Sequence, residues 1–361
     1  MSDFAKYMED CLNDGIKNGL HCGAQLFVSK NGRECIEVAV GTVTTDSLMQ
    51  WFSATKPFAA VAIGQLWERG LLKLDQLVCD ILPEFSANGK EQITVRNLLT
   101  HTGGFRSVID LELNVNSWDQ TISRVCASRK EKNWIPGKKA GYQISSSWYI
   151  LAEMIQRIDG RVFDRYVRDE IFEPLEMYDC WISIHRELAT EYADRLAGVY
   201  DTTGSVPVRQ KFRDDLAFIE CCVPGASGRG PARQLAYFYE ALLDGGQRCG
   251  KRIILPQTVE ALTSRHRTGM HDYTFNHVVD WGLGFVVNSA IYGIETVPYG
   301  FGRYAGPRTF GHCGQQTSAA FADPDAGLVV ALIVDGMPGD NKHQSRFFEL
   351  LSSVYERFIK N

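Results

Sequence analysis

The strongest strand signal in this chain lies close to its C-terminus, in "GLVVALIVDG" (327–336). This apolar run is strand-like. Such a strand needs neighbours. "TSAAFADP" (317–324) and "WGLGFVV" (281–287) precede it and are strand-like. The remaining β-rich segment, "AQLFVSKNGRECIEVAVG" (24–41), stands at the opposite end of the chain. It reads as a hairpin, because two β-rich runs flank Lys30-Asn31-Gly32 and Asn-Gly favours a tight turn. Each end also carries a helix. Phe4, Met8, Leu12 and Ile16 recur every four residues within 3–19, and a closing helix runs from about Gln344 to Ile359. The expectation is an α+β fold, with one antiparallel sheet built from both chain termini and flanked by helices.

Between the ends the pattern changes. Residues 53 to about 70 are helical and stop near Gly70. Helices are predicted at 146–158, carrying Trp148, Leu151, Ala152 and Ile155, and at 231–246, closed by glycines. Most of 71–275 reads as helices and long loops. The 361 residues allow two lobes. We therefore expect a sheet-and-helix lobe from 1–70 plus 276–361, a mainly helical inserted lobe from 71–275, and a site in the cleft between them.

Composition narrows the function classes. Hydrophobic residues make up 45% and charged residues 22%, with a net charge of −5. Nothing there points to nucleic acid or an anionic membrane as partner. The N-terminus begins with an acid and has no apolar core of a signal peptide, and no window approaches the roughly 18 apolar residues of a spanning helix. The ten cysteines are scattered without a CxxC. The expectation is reduced thiols in the cytoplasm, with no metal or cofactor. Oligomeric state leaves no mark on the sequence.

"WFSATKPFAA" (51–60) raises a chemical question. Ser53 and Lys56 are three apart, so a helix puts them on one face. An isolated pair of this kind is also an ordinary N-cap followed by a solvated lysine. The flanks here are apolar, and a lysine desolvated among them loses affinity for its proton. Such an amine serves as a base for a serine hydroxyl, a known variant of the nucleophile–base arrangement.

Three further segments accompany it: "LLTHTGGF" (98–105), "PGKKAGYQISSSWYILAEMI" (136–155) and "FGHCGQQTSAAFADPDAGLVVAL" (310–332). With FSATK, these four in this order resemble the serine hydrolases related to class C β-lactamases and D-Ala-D-Ala carboxypeptidases, a group that includes family VIII esterases. The resemblance runs over almost the whole length. It implies that Ser53 is a nucleophile forming an acyl-enzyme, with Lys56 and Tyr142 sharing the base work. A tyrosinate near neutral pH requires a pKa lowered by about three units, which adjacent cations can supply. The backbone N–H groups of Ser53 and Gln315 would form the oxyanion hole.

The resemblance also implies substrate contacts from His312, Cys313 and Gly314, with Gly314 letting substrate lie close to the strand. His312 stands where lysine is frequent, which weakens carboxylate recognition. Cys313 stands where Thr or Ser is common. An asparagine is expected after Tyr142, and either Ile144 or Ser145 takes its place, so an amide side chain is missing. That argues against efficient β-lactam hydrolysis and for an esterase-like or acyl-transfer role. Arg229, in "PGASGRGPARQL" (224–235), either binds an anionic substrate group or is solvent-exposed. His101 is expected to anchor its loop. Specificity is expected in 105–135, 185–225 and 265–305, the last a Tyr-, Gly- and Phe-rich stretch suited to an apolar or aromatic acyl group.

The reading is thus a serine hydrolase acting on a small-molecule ester or amide. The rivals are an acyltransferase and a non-catalytic binding protein of the same fold.

Overall fold

The computed structural model describes residues 3–105 and 117–359. The expected loop 105–135 therefore lies partly outside the described residues.

Helix α1 (Asp3–Lys17) leads into the hairpin β1 (Gly23–Lys30) and β2 (Arg33–Gly41). Asn31 and Gly32 both take positive φ, 51° and 71°, as a tight hairpin turn requires. Helix α2 (Lys56–Glu68) follows, then α3 (Ser146–Asp159) and α4 (Ala232–Leu243) in the middle of the chain. The C-terminal part adds β3 (Val286–Val287), β4 (Phe310–Gly314), β5 (Ser318–Asp323), β6 (Leu328–Val334) and α5 (Asp340–Ile359).

The main sheet has the order β3-β4-β5-β6-β1-β2, and every pair is antiparallel. The ends of the chain meet where β1 pairs with β6, from Ala24 opposite Val334 to Lys30 opposite Leu328. All seven residues of β6 are buried, so its unbroken apolar run is explained by cover on both faces. On one face α1 and α5 pack through Met8, Leu12, Leu26, Leu332 and Leu351, and the Phe4 and Phe358 rings meet edge-on at 5.7 Å. On the other face lies α4. Its first amide, of Ala232, donates to Gln25 Oε1 at 2.8 Å, and Ser29 Oγ donates to Glu240 at 2.6 Å. The middle of the chain therefore also supplies a layer of the sheet's packing. Against it stand the helices of the second core, where Phe58 of α2 lies 4.4 Å from Phe238 of α4.

Two boundaries differ from expectation. Only Val286 and Val287 of "WGLGFVV" join the sheet. Before them Gly282 N–H donates to Phe285 O at 2.9 Å, and Gly284 has φ +84°. A Cβ on Gly284 would sit 2.4 Å from Ala60 Cβ, so the chain turns here to pass close over α2. Helix α5 begins at Asp340, four residues before its expected start, with that acid in its first turn. Among the described residues no helix is long and apolar enough to cross a membrane. All ten cysteines are free thiols.

Candidate active site

Ser53 lies in a 3-10 turn, Phe52–Thr55, that runs directly into α2. Phe52 holds a left-handed φ of 50°, which for a bulky residue is a strained conformation placed one residue before the nucleophile candidate. Ser53 is half-buried, while Lys56 is wholly buried. Lys56 Nζ is 2.9 Å from Ser53 Oγ and donates to the Gly225 carbonyl at 2.9 Å. No carboxylate stands among those contacts. Its ammonium would face the rings of Tyr142 and Trp148, at 5.2 and 5.5 Å from their centroids. Burial pushes the Lys56 pKa well below its ordinary value. A neutral amine at this distance can take the Ser53 proton. The reading of Lys56 as a solvated surface residue is excluded by its burial.

Tyr142 is brought to the pair, as its hydrogen bond with Ser53 records. Its pKa, however, corrects the expectation. Burial raises it well above the ordinary value, with the hydrogen bond to Ser53 pulling only partly the other way. Lys56 cannot lower it while it is itself neutral. Burial thus favours the protonated phenol of Tyr142 over a tyrosinate.

The Tyr142 ring is clamped between aromatic neighbours, stacked on Phe275 at 4.7 Å and on Trp281 at 5.7 Å. Its backbone is held by Asp272, whose Oδ1 accepts N–H groups from Tyr142 (3.0 Å), Thr274 (2.9 Å) and Phe275 (3.1 Å). Asp272 is itself paired with Arg267 at 3.0 Å, and both side chains are buried. Arg267 also donates to the carbonyls of Thr100 and Val279. Sequence reasoning missed this pair. "RHRTGMHDYTF" shows only interspersed charges, and nothing in the spacing tells a buried pair from exposed ones.

His101 anchors its neighbours as expected. Gln143 N–H donates to its Nδ1 at 3.0 Å, and Gly141 N–H donates to its carbonyl at 3.0 Å. The proton must then sit on Nε2, which is buried with no partner among the described residues.

His312 sits on β4, where β3 no longer covers the strand. Its Nδ1 donates to the Cys313 carbonyl at 2.8 Å, leaving Nε2 a bare acceptor that is buried and unpartnered. Burial pushes its pKa down to about 3. It is a neutral ring. Cys313 is buried under Tyr299, whose carbonyl lies 3.7 Å from Sγ.

Gly314 ends β4 against the nucleophile turn. A Cβ there would lie 2.1 Å from Trp51 O and 3.0 Å from Phe52 Cβ. Ser318 Oγ donates to the same Trp51 carbonyl at 2.6 Å. Thr317 N–H donates to Gly314 O, closing a turn that carries the exposed Gln315 at its tip.

The two positions open for the missing amide separate cleanly. Ser145 is fully buried just before α3, whereas Ile144 is 46% exposed and lines a cavity. That cavity holds about 580 Å³ and is also lined by Tyr142, Gln143, Phe105, Trp134 and Tyr273. Arg229 is not at this opening. It lies in a two-residue ladder against Met49–Gln50, is buried, and donates to Arg213 O at 3.3 Å. Burial, then the nearby Arg213, lower its pKa to about 10. This overturns the solvent-exposed alternative.

Comparisons with known proteins converge on one family. The family model described as Beta-lactamase matches residues 8–353. Esterase EstB of Burkholderia gladioli is 28% identical, over 94% of this chain and 93% of its own. Penicillin-binding protein 4 of Amycolatopsis lactamdurans is also 28% identical, over 94% and 88%. Among solved structures, a penicillin-binding protein homologue from Caulobacter crescentus is similar with a TM-score of 0.79 and 25% identity, covering 98% of each chain. With the Ser53–Lys56–Tyr142 geometry in place, the match over nearly the full length makes the conclusion plain: the chain belongs to the beta-lactamase family.

Proposed function

We propose that this protein is a serine hydrolase that cleaves an ester or amide of a small molecule through an acyl-Ser53 intermediate. The observation that carries the reading is the 2.9 Å contact between Ser53 Oγ and a fully buried Lys56 amine. Ser53 Oγ attacks the carbonyl carbon as its proton moves to Lys56 Nζ. The negative charge that develops on the carbonyl oxygen is met by the backbone N–H groups of Ser53 and Gln315. Tyr142 passes the proton to the departing oxygen or nitrogen, the bond to the leaving group breaks, and the acyl-enzyme remains. Water repeats the sequence in reverse order of proton transfer and frees the acid.

Relatives named as esterase and penicillin-binding protein support both acyl-serine chemistry and a small-molecule substrate. The cavity beside Tyr142, faced by Ile144, Trp134 and Tyr273, suits an apolar or aromatic group. Ten free thiols support residence in a reducing compartment, the cytoplasm. Ser145, His312, Cys313 and Gly314 shape the wall against which substrate lies.

The test is covalent labelling with a fluorophosphonate probe together with turnover of p-nitrophenyl acetate. Ser53→Ala should lose both while unfolding at the wild-type temperature. Undiminished turnover by the variant would overturn the assignment. Product analysis with added alcohols or amines then measures how the acyl group divides between water and another acceptor.

A further inference from the structure

Residues 141–143 belong to no helix or strand, so no ladder fixes the main chain of Tyr142. Three consecutive amides are held instead by two residues remote in sequence. Gly141 N–H donates to His101 O, Tyr142 N–H to Asp272 Oδ1 and Gln143 N–H to His101 Nδ1, each at 3.0 Å. The Tyr142 carbonyl in turn accepts from Thr274 Oγ1 at 3.1 Å.

Both holders are tied to one cation. Arg267 Nη1 donates to Thr100 O at 3.1 Å, one residue before His101, whose φ of 56° is left-handed. Arg267 Nη2 lies 3.0 Å from Asp272 Oδ2, an ion pair without the alignment of a hydrogen bond. Burial lowers the Arg267 pKa to about 10 against the pull of Asp272, so the guanidinium is charged at neutral pH. A buried pair adds little net stability over apolar packing, because desolvation offsets the attraction. What this pair supplies is direction.

Asp272 also places the ring. The oxygen that holds Tyr142 N–H accepts from Thr274 and Phe275 at 2.9 and 3.1 Å, and Phe275 stacks on Tyr142 at 4.7 Å. Trp281 also stacks on Tyr142, at 5.7 Å, with the Arg267 guanidinium 5.3 Å from the Trp281 centroid. A single carboxylate oxygen thus fixes the main chain of the tyrosine and one wall of its ring.

We propose that Asp272 is a positioning residue for proton transfer, holding the Tyr142 hydroxyl where it hands a proton to the leaving group. The proposal rests on the acyl-Ser53 reading. As the bond to the leaving oxygen breaks, the phenol gives that oxygen its proton and takes the one that Lys56 received from Ser53. Tyr142 therefore ends as it began. A hydroxyl displaced by about 1 Å loses much of this transfer.

The experiment compares two esters. Phenyl acetate releases a phenoxide that leaves poorly unless protonated, whereas p-nitrophenyl acetate releases an anion that leaves unaided. Asp272→Asn trades a charged acceptor for a neutral one and sets an amide N–H2 against the Arg267 donors, which loosens the hold on the three amides it bonds. It should lower kcat for phenyl acetate by about tenfold or more, and for p-nitrophenyl acetate by about threefold or less. In a Tyr142→Phe background the same substitution should change phenyl acetate turnover by less than about twofold, because no hydroxyl is left to position. A residue that only supports the fold would lower both esters alike, and in both backgrounds, and that result overturns the proposal. Should Asp272→Asn fail to fold, Thr274→Val, at an exposed position, loosens the same clamp at the Tyr142 carbonyl. It should show the same selectivity between esters, and an equal loss on both, or no loss, overturns the proposal too. Where Ser53→Ala keeps its turnover, the acyl-serine reading fails. Where Ser53→Ala is inactive and the Asp272 and Thr274 variants show no selectivity, the positioning role alone fails.

Discussion

Replacing Gly314 by alanine tests whether the edge strand and the nucleophile turn are set by direct contact. The added methyl would lie 2.1 Å from Trp51 O and 2.3 Å from Ser318 Oγ. A carbon and a carbonyl oxygen normally stay about 3.3 Å apart. The overlap is therefore about 1 Å, and the obstructing carbonyl belongs to backbone two residues before Ser53. Relief requires β4 to move off the nucleophile turn by about that amount. Overpacking of this kind costs typically about 1–3 kcal/mol. At roughly 2–4 °C per kcal/mol, Tm should fall by about 2–12 °C. Catalysis should suffer more. The same shift separates Gln315 N–H from Ser53, and a 1 Å misplacement or a lost oxyanion donor each cost about 10² or more in kcat. The assay is kcat for p-nitrophenyl acetate beside thermal unfolding of the same protein. Gly103→Ala is the matched control, since its Cβ would meet nothing closer than 3.4 Å. It should retain activity. A Gly314→Ala protein within threefold of wild-type kcat at unchanged Tm would refute the argument that Gly314 sets the distance.

Two more outcomes are expected. Short-chain p-nitrophenyl esters should be turned over at least about a hundredfold more efficiently in kcat/KM than nitrocefin, a difference of about 2.7 kcal/mol, because Ile144 offers no amide and His312 no charge; comparable cleavage of nitrocefin would show that another group supplies them. Lys56→Met should raise Tm at pH 7 relative to wild type by more than it does at pH 10, because burial lowers the folded pKa of Lys56 from 10.5, the unfolded chain then binds the proton more tightly, and wild-type stability falls as pH drops through that window; a difference that does not change between the two pH values would contradict a neutral Lys56.

The terminal sheet was legible because a fully buried strand leaves a composition that few other elements share. β6 is apolar at every position, and Asn31-Gly32 marks the turn between β1 and β2 in the sequence itself. "WGLGFVV" misled for the opposite reason. Its apolar residues are buried in a turn pressed on α2, and burial alone does not distinguish a turn from a strand. Ser53, Lys56 and His101 were legible as candidates because each lies in a local sequence pattern. Asp272 and Arg267 were not. Their partners are distant in sequence, Asp272 holding Tyr142 and Arg267 holding Thr100, so only the fold assembles them. Tyr142 does lie beside Lys56, its ring centroid 5.2 Å from Nζ, but burial raises the pKa that was expected to be lowered. A tyrosinate there needs a charged Lys56 beside it, and the burial of Lys56 disfavours that charge.

That point extends to the whole site. Burial disfavours charge on Lys56, His312 and His101 by lowering their pKa values, and on Tyr142 by raising it. Burial thus disfavours charge on each of these oriented groups before substrate arrives. A neutral ester meets little there that favours its ground state. On the proposed acyl-serine mechanism two charges appear together as Ser53 attacks, an oxyanion and a protonated Lys56. The oxyanion would meet the backbone N–H groups proposed for it, and the ammonium would lie 2.9 Å from the Gly225 carbonyl and over two aromatic faces. Interactions that strengthen only as charge develops lower the barrier without tightening substrate binding. A substrate carboxylate near Lys56 would undo this, because it would hold the amine in its protonated form and remove the base. The apolar Ile144, the neutral His312 and the covered Cys313 offer such an anion no cationic partner, which fits the proposed role of the buried lysine as acceptor of the serine proton.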